Sequence, residues 1–309
     1  MRVLVAGATG AVGRPLVTQL VAAGHEVTGT TSSEAGVGTV AANGARGVVC
    51  DALDGDAVAA VVREARPEVI VNELTRLPRD YNPRTLDYEP TNRLRREGGA
   101  NLLAAAQEAG ARRFITQSIA FLYAPEGPMV VDEEARPWTD APRPFRDAVL
   151  AMLEHERAAL ETPGVVGVVL RYGQFYGPGT YYARDGSIGA RVRKRQFPIV
   201  GRGEGTFSFI QLEDAAAATA AAVERGSPGV YNVTDDEPAP LREWLPVYAE
   251  AIGAKPPRHL PTWLARLLAG QFAGVMASGM RGASNAKAKR ELGWAPRYAS
   301  WRQGFREGL

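Results

Sequence analysis

The feature that most constrains the fold is a regular alternation of short apolar runs with segments of helical spacing. The apolar runs cover 2–6, 26–30, 47–50, 67–72, 112–118 and 165–173. The helical segments cover 11–23, 54–65, 94–109 and 143–160. Strands that are apolar on both faces belong in a parallel sheet covered by helices on each side. Because crossovers are right-handed, the sequence predicts an α/β fold with a doubly wound parallel sheet.

A glycine-rich loop follows the first apolar run and opens the first helical segment. It reads Gly7-Ala8-Thr9-Gly10-Ala11-Val12-Gly13. Glycine lets the backbone approach a pyrophosphate, and a helix N-terminus offers free N–H groups to the anion. The expected cofactor contacts here are Gly7, Thr9, Gly10, Ala11, Val12 and Gly13; a tight turn without ligand is the alternative. Asp51, Ala52 and Leu53 follow the third run, where an aspartate can reach the adenine end of a dinucleotide; an aspartate in an ordinary loop is the alternative.

The pattern changes after Gly173, where a loop rich in glycine and aromatic residues covers 174–187. A short strand at 207–210, a helix at 213–226 and a strand at 230–233 come later. We therefore predict a dinucleotide-binding domain over 1–173. The remainder, 174–309, is predicted to form a smaller α/β lobe that partly interleaves with the sheet.

Several longer motifs carry a resemblance to a known family. They are RFITQSIAFLY (113–123), VVLRYGQFYGPG (168–179), YNV (231–233) and AKRELGW (288–294). Together with the glycine loop, they resemble the extended short-chain dehydrogenase/reductase family of nucleotide-sugar epimerases, dehydratases and their relatives. The resemblance covers essentially the whole chain. It implies a Rossmann-type domain that binds NAD or NADP, followed by a small C-terminal substrate lobe.

Two departures from that family concern the cofactor. An aspartate that ends the second strand commonly holds the ribose of NAD, whereas this chain has Thr30, Thr31, Ser32 and Ser33 there. Hydroxyl groups such as those of Thr31 and Ser32 can hydrogen-bond a 2′-phosphate, which favours NADP(H) over NAD(H). Leu74 stands where a small alanine usually lets the cofactor approach, so a vestigial cofactor site is an open alternative. We expect no metal.

The largest departure is the absence of the family's proton relay. That relay is a tyrosine followed four residues later by a lysine, which lowers the pKa of the tyrosine. From residue 137 to residue 170 the chain contains neither amino acid. Alignment on Glu156 places Ala148 and Met152 at the two positions. Alignment on the Pro-Phe pair at 144–145 places Phe145 and Val149 there instead.

Four residues are candidates to replace the relay. Tyr123 lies just after the fifth predicted strand and could donate a proton, although it could equally be a packing residue. Ser118 would take the family's serine role after a shift of one residue. Glu73 could act as a base if burial raised its pKa, and a solvated loop glutamate is the alternative. Asp147 lies in the first turns of the 143–160 helix, whereas His155, deeper on that helix, is more typical of a packed histidine.

The residues around the predicted site indicate the kind of substrate. Sugar-nucleotide enzymes of this family clamp the diphosphate with an arginine at the position that Phe207 occupies here, so we disfavour a nucleotide sugar. Arg146 is placed to reach the mouth of the site. A small apolar or aromatic molecule is favoured by the aromatic side chains Phe121, Phe175, Tyr176, Tyr181 and Tyr182.

Composition excludes several other classes of function. A net charge of +2 does not favour nucleic acid as a partner, and the basic run at 191–195 is interpreted as a solvated helix end. Cys50 is the only cysteine, which is typical of a reducing cytoplasm. We recognise no signal peptide and no apolar run long enough for a membrane span. The resemblance implies a homodimer through the 94–109 and 143–160 helices, although the charges at 93–97 oppose it.

Three hypotheses for the function follow. The first is an NAD(P)-dependent oxidoreductase of secondary metabolism that acts at a carbonyl or hydroxyl carbon, with Tyr123 or a loop tyrosine as proton donor. The second is a redox-neutral cyclase, isomerase or dehydratase that uses Glu73, Asp147 or a tyrosine, with a structural or absent cofactor. The third is a non-catalytic protein that senses NADP.

Overall fold

The computed structural model describes residues 1–82, 86–265 and 278–309. The strands are β1 (Arg2–Ala6), β2 (Glu26–Thr31), β3 (Arg46–Val49), β4 (Val69–Asn72), β5 (Arg113–Ile119), β6 (Val130–Val131), β7 (Val166–Tyr172), β8 (Gln174–Tyr176), β9 (Ile199–Val200), β10 (Thr206–Phe207), β11 (Phe209–Gln211), β12 (Gly229–Val233), β13 (Ala239–Pro240), β14 (His259–Leu260) and β15 (Gly282–Ala283). The helices are α1 (Gly13–Ala22), α2 (Glu34–Ala42), α3 (Gly55–Ala65), α4 (Glu89–Arg93), α5 (Gly99–Glu108), α6 (Phe145–Glu161), α7 (Ser187–Arg193), α8 (Leu212–Glu224), α9 (Leu241–Ala251), α10 (Ala286–Leu292) and α11 (Trp301–Glu307). A π-helical turn, Leu94–Gly98, joins α4 to α5. Within the described ranges, no helix combines the length and the apolar character that a bilayer crossing requires.

Seven strands form the central sheet in the order β12-β7-β5-β4-β1-β2-β3. All of its strand pairs are parallel. The prediction of a doubly wound, Rossmann-type parallel sheet is therefore confirmed. β1 lies between β2 and β4, and the chain builds outwards from β1 through β2 and β3 before it crosses back to β4 on the other side. A crevice opens at the carboxyl ends of the strands where the strand order reverses in this way. Ala6 pairs with Asn72 at this point, which places the glycine loop beside the residues that follow β4.

Apolar side chains cover both faces of the sheet, as the continuously apolar strands require. In β1, Val3 and Val5 join the core cluster that includes residues of α1 and α8. Leu4 and Ala6 point to the opposite face and join the cluster that includes residues of α3 and α5. This alternation makes β1 a fully buried central strand.

The part of the chain after residue 173 contributes to two places. β12 pairs with β7 at the edge of the central sheet, and α8 packs against α1. The remainder surrounds an aromatic core in which the ring of Phe209 lies 5.1 Å from those of Trp244 and Phe305. A domain boundary at residue 173 stays a prediction.

Candidate functional site

The glycine loop 7–13 is held tightly against the ends of β1 and β4. Gly7 has a φ of +84°, and a Cβ there would lie 2.8 Å from the carbonyl oxygen of Glu73. A Cβ on Gly13 would lie 2.2 Å from the carbonyl oxygen of Gly7. Both positions therefore require glycine, and the loop backbone can follow a path that side chains would block.

The backbone N–H groups of this loop fit an anionic ligand. Gly10 donates to the Gly7 carbonyl at 2.9 Å, and Arg14 donates to the Gly10 carbonyl at 3.2 Å. In the described part of the chain, the N–H groups of Ala11 and Val12 have no acceptor. They precede the first turn of α1, where the helix dipole is positive. The loop thus has the donors that the diphosphate of a nicotinamide dinucleotide needs.

Replacing Gly13 by alanine should weaken binding of a nicotinamide dinucleotide at least about tenfold, or about 1.4 kcal/mol. The reason is that the new Cβ overlaps the Gly7 carbonyl and must displace the loop. Energy transfer from tryptophan to bound NADPH measures the affinity. Gly38→Ala in α2 is the matched control, since a Cβ there meets no atom within 4 Å. Equal affinities for the two variants would contradict the assignment of the loop.

The ends of β2 and β3 carry the residues predicted to bind ribose and adenine. Thr31 is buried, and its Oγ1 lies 3.5 Å from the Oγ1 of Thr9. Ser32 is exposed. The Asp51 carboxylate accepts a hydrogen bond from the N–H of Leu53 at 3.0 Å, which fixes the turn after β3. Of the two side-chain hydroxyls predicted to contact the ribose end of the cofactor, that of Ser32 is thus more accessible to a ligand than that of Thr31.

Helix α6 presents an apolar face where the resemblance implies the proton relay. Phe145, Ala148, Val149 and Met152 are all buried. They belong to one hydrophobic cluster with Tyr88, which is partly buried. Whichever alignment is used, the two relay positions therefore hold packed apolar side chains that can neither donate a proton nor carry charge.

A buried polar network connects α6 to the sheet. Glu156 accepts two hydrogen bonds from Arg171, from Nε at 3.0 Å and from Nη2 at 2.6 Å. Ser118 donates to the same carboxylate at 2.5 Å. Arg171 also donates from Nη1 to the hydroxyl of Tyr123 at 3.1 Å, and Tyr123 donates to Oδ1 of Asn232 at 2.6 Å.

Two of the predicted catalytic residues, Tyr123 and Ser118, belong to this network. Tyr123 is 2% exposed, and its hydroxyl already donates one hydrogen bond and accepts another. Burial raises the pKa of Tyr123, and the neighbouring Arg171 opposes that shift. Ser118 is also buried, with its hydroxyl engaged by Glu156. The geometry thus favours packing for both residues over the catalytic roles predicted from the sequence.

The end of β4 is fixed by a second set of buried polar contacts. Asn72 donates from Nδ2 to Nε2 of His155, the two atoms being 3.1 Å apart. The hydroxyl of Thr116 lies 2.7 Å from the same nitrogen. Burial lowers the pKa of His155 to about 4, and the charge of Arg95 adds to the effect. His155 is therefore a neutral, packed histidine at physiological pH.

Glu73 and Leu74 follow β4 and differ in their surroundings. Glu73 is 8% exposed, and the Tyr172 hydroxyl donates to its carboxyl group at 2.8 Å. That hydroxyl also lies 2.7 Å from Oγ1 of Thr219. Burial raises the pKa of Glu73 from 4.5 to about 8, against a lowering effect of the Tyr172 hydrogen bond. Glu73 is therefore not a solvated loop residue, whereas Leu74 packs at the edge of the α3–α5 core.

The predicted residues at the mouth of the site fall into two groups. Asp147 lies on the first turn of α6 in a surface ion pair with Arg143 at 3.3 Å, and Arg146 is its half-buried neighbour. Tyr176 and Tyr182 are buried in the aromatic core, which argues against the substrate contacts predicted for them. Partly buried positions, which leave ring surface accessible, are kept by Phe121, Phe175 and Tyr181.

Sequence reasoning missed three residues near this mouth. The rings of Tyr81 and Tyr181 lie 5.7 Å apart, and the ring of Tyr88 lies 6.5 Å from that of Phe145. Arg95, on the π-helical turn, is buried although it stands in a run of charged residues. Helical spacing from the buried Asn92 would have marked Arg95 as inward-facing.

Comparisons with known proteins agree with this architecture. A model of the NAD dependent epimerase/dehydratase family matches residues 3–234. The chain is 48% identical over 308 residues, 99% of each protein, to a 3-diazoavenalumate denitrifying reductase from a Streptomyces species. A UDP-glucose 4-epimerase with UDP-glucose from Thermotoga maritima superposes with a TM-score of 0.76 at 22% identity, over 99% of this chain and 96% of that one. A Thermus thermophilus UDP-glucose 4-epimerase in complex with NAD gives a TM-score of 0.71 at 26% identity, over 99% and 97% of the two chains.

Proposed function

Since the chain belongs to the NAD dependent epimerase/dehydratase family and is an NAD(P)-dependent enzyme of the oxidoreductase or epimerase type, we propose that it reduces a diazo-substituted aromatic carboxylate with release of dinitrogen. The similar Streptomyces protein is named for a reaction of this class. The observation that carries the proposal is the apolar face of α6, which offers no tyrosine and no lysine. A reaction that needs no proton donor explains why such a face is tolerated.

Reduction of a ketone and reduction of an aromatic diazonium group differ in their demand for a proton. Hydride addition to a ketone leaves an alkoxide, which a positioned acid must protonate. Hydride addition to an aromatic diazonium carbon forms a C–H bond while the C–N electron pair leaves with dinitrogen. The cation and the hydride cancel in charge, so the products are a neutral ring carbon and N₂. A bound NADPH would supply that hydride.

The residues of this chain contribute binding and orientation. The N–H groups of Ala11 and Val12 would hold the diphosphate of the dinucleotide. Ala148 and Met152 are buried in the hydrophobic cluster of α6, so this part of the helix offers no group that could protonate a product. The exposed hydroxyl of Ser32 favours the 2′-phosphate of NADPH, since residues 30–33 include no carboxylate to repel it. Phe207 is buried in the aromatic core and cannot clamp a sugar-nucleotide diphosphate, which supports a smaller substrate.

Isotope labelling tests the proposal directly. The protein is incubated with an aromatic diazonium carboxylate carrying ¹⁵N in both diazo positions and with NADPH deuterated at the transferable C4 position. We expect one ¹⁵N₂ and one NADP⁺ per turnover, with deuterium at the ring carbon that lost the diazo group. Unlabelled NADPH in D₂O should leave that carbon free of deuterium, because the hydrogen comes from the cofactor.

Two controls separate catalysis from spontaneous loss of dinitrogen. Gly13→Ala should lose turnover together with cofactor affinity, whereas Gly38→Ala should keep both. Incorporation of solvent deuterium, or NADPH oxidation with ketones but never with diazo compounds, would overturn the proposal. The second result would instead indicate carbonyl reduction, which requires a proton donor.

A further inference from the structure

Arg95 lies in an unusual place for a charged side chain. It belongs to the π-helical turn Leu94–Gly98 and is 7% exposed. Its neighbour Arg96 lies on the surface, where Nε is 3.3 Å from a carboxylate oxygen of Glu154. The two arginines are thus adjacent in sequence, but one faces solvent and the other faces the interior.

The charge of Arg95 lacks an ion-pair partner among the residues that the structure describes. Nη1 donates to Oδ1 of Asn92 at 3.3 Å, and Nε is enclosed without an acceptor from the described ranges. Among the described residues, no carboxylate forms an ion pair with it, and the ranges 83–85 and 266–277 contain no Asp or Glu. The buried carboxylate of Glu156 favours the charge of Arg95, yet Arg171 and Ser118 already engage it. Burial lowers the pKa of Arg95 to about 10, so it stays protonated at neutral pH.

Aromatic residues lie beside the turn that carries Arg95. This π-helical turn packs against α6, where the ring of Phe145 lies 6.5 Å from that of Tyr88, and the rings of Tyr81 and Tyr181 lie 5.7 Å apart. Burial raises the pKa of Tyr88, and the charge of Arg95 opposes that shift. The charge of Arg95 also acts on His155, which is bonded to the end of β4. Arg95 thus lies on a turn that packs against α6, the helix whose His155 is bonded to the end of β4.

We propose that Arg95 binds the carboxylate of the substrate, an inference that rests on the proposed reduction of an aromatic carboxylate. A guanidinium group matches a carboxylate with two parallel hydrogen bonds, and the tyrosine rings at the mouth offer surface to an aromatic ring. The ligand would supply the acceptors that the buried Nε lacks. A buried cation without a counterion is costly in the free protein, which is expected where a charged ligand completes the site.

Binding of unreactive probes tests this without turnover. The probes are 4-hydroxycinnamate and its neutral amide, 4-hydroxycinnamamide, titrated calorimetrically into the NADP⁺-loaded protein. Wild type should prefer the acid. Arg95→Met should weaken binding of the acid by about 10- to 100-fold and leave the amide unchanged, since a hydrogen-bonded charge is lost. Arg95→Lys should recover part of the preference, and Arg96→Met should match wild type.

Thermal unfolding of the same variants shows whether the side chain serves the ligand or the fold. Arg95→Met should melt at a higher temperature than wild type, because it removes an uncompensated buried charge. An acid preference that survives in Arg95→Met, or is absent from wild type, would overturn the inference. A wild type that prefers the acid through Arg95 but releases no dinitrogen from diazo compounds would contradict the proposed function alone.

Discussion

Replacing Glu156 by alanine should lower the free energy of unfolding by about 3–5 kcal/mol, because it leaves a buried guanidinium without its counterion. Glu156 and Arg171 are both buried and joined by two hydrogen bonds, at 3.0 Å and 2.6 Å. Removal of the carboxylate also leaves the Ser118 hydroxyl without its acceptor. Urea unfolding followed by circular dichroism measures the change.

The matched control for this variant lies two residues earlier on the same helix. Glu154 is exposed and pairs with Arg96 at the surface, so Glu154→Ala should cost no more than about 1 kcal/mol. A further variant, Glu156→Leu combined with Arg171→Met, should recover much of the loss, since it removes both charges together. Similar small effects for Glu154→Ala and Glu156→Ala would show that the network contributes little to stability.

This network also explains how α6 keeps its place without the relay. The family resemblance implies that a catalytic pair anchors this helix to the cofactor. In this chain, the helix is fixed instead by Glu156 to β7 and by His155 to β4 and β5. The position of α6 is thus fixed by contacts that involve no tyrosine–lysine pair.

The doubly wound parallel sheet could be predicted because most of its strands are apolar runs that alternate with helical segments. Helix α2 could not be predicted, because it contains two glycines and has no marked apolar face. Its position depends on tertiary packing: a Cβ at Gly36 would lie 2.0 Å from Oγ1 of Thr31. Glycine, a poor helix former, is therefore required in this helix by the neighbouring strand.

The candidate site was predictable in location but not in its side-chain partners. Parallel topology placed Glu73, Ser118 and Tyr123 at the carboxyl edge of the sheet. The partners that decide their roles come from distant segments, such as Tyr172 for Glu73 and Asn232 for Tyr123. No local pattern encodes such pairs. Arg95 stands in a charged run that looks solvent-exposed, and only its helical spacing from the buried Asn92 indicates that it faces inwards.

Glu73 should make the stability of the protein fall as the pH rises from about 4.5 to about 8. Its folded-state pKa is raised, so the native protein holds a proton that the unfolded chain releases. The stabilisation is complete below the unfolded pKa of 4.5 and is lost through pH 8. Because a pKa difference of 1 corresponds to about 1.36 kcal/mol, the free energy of unfolding should fall by roughly 5 kcal/mol over this range.

The variant Glu73→Gln isolates this effect, because the amide can still accept the Tyr172 hydrogen bond and cannot ionise. Urea unfolding of both proteins between pH 5 and pH 9 should show wild type losing stability relative to the variant as the pH rises. Glu68→Gln provides a control that should run parallel to wild type over this range. The backbone N–H of Arg2 lowers the pKa of Glu68, so stabilisation by Glu68 is lost only as the pH falls below the unfolded pKa of 4.5. Parallel profiles for wild type and Glu73→Gln would mean that Glu73 is ionised in the folded protein, with its buried carboxylate accepting the Tyr172 hydrogen bond.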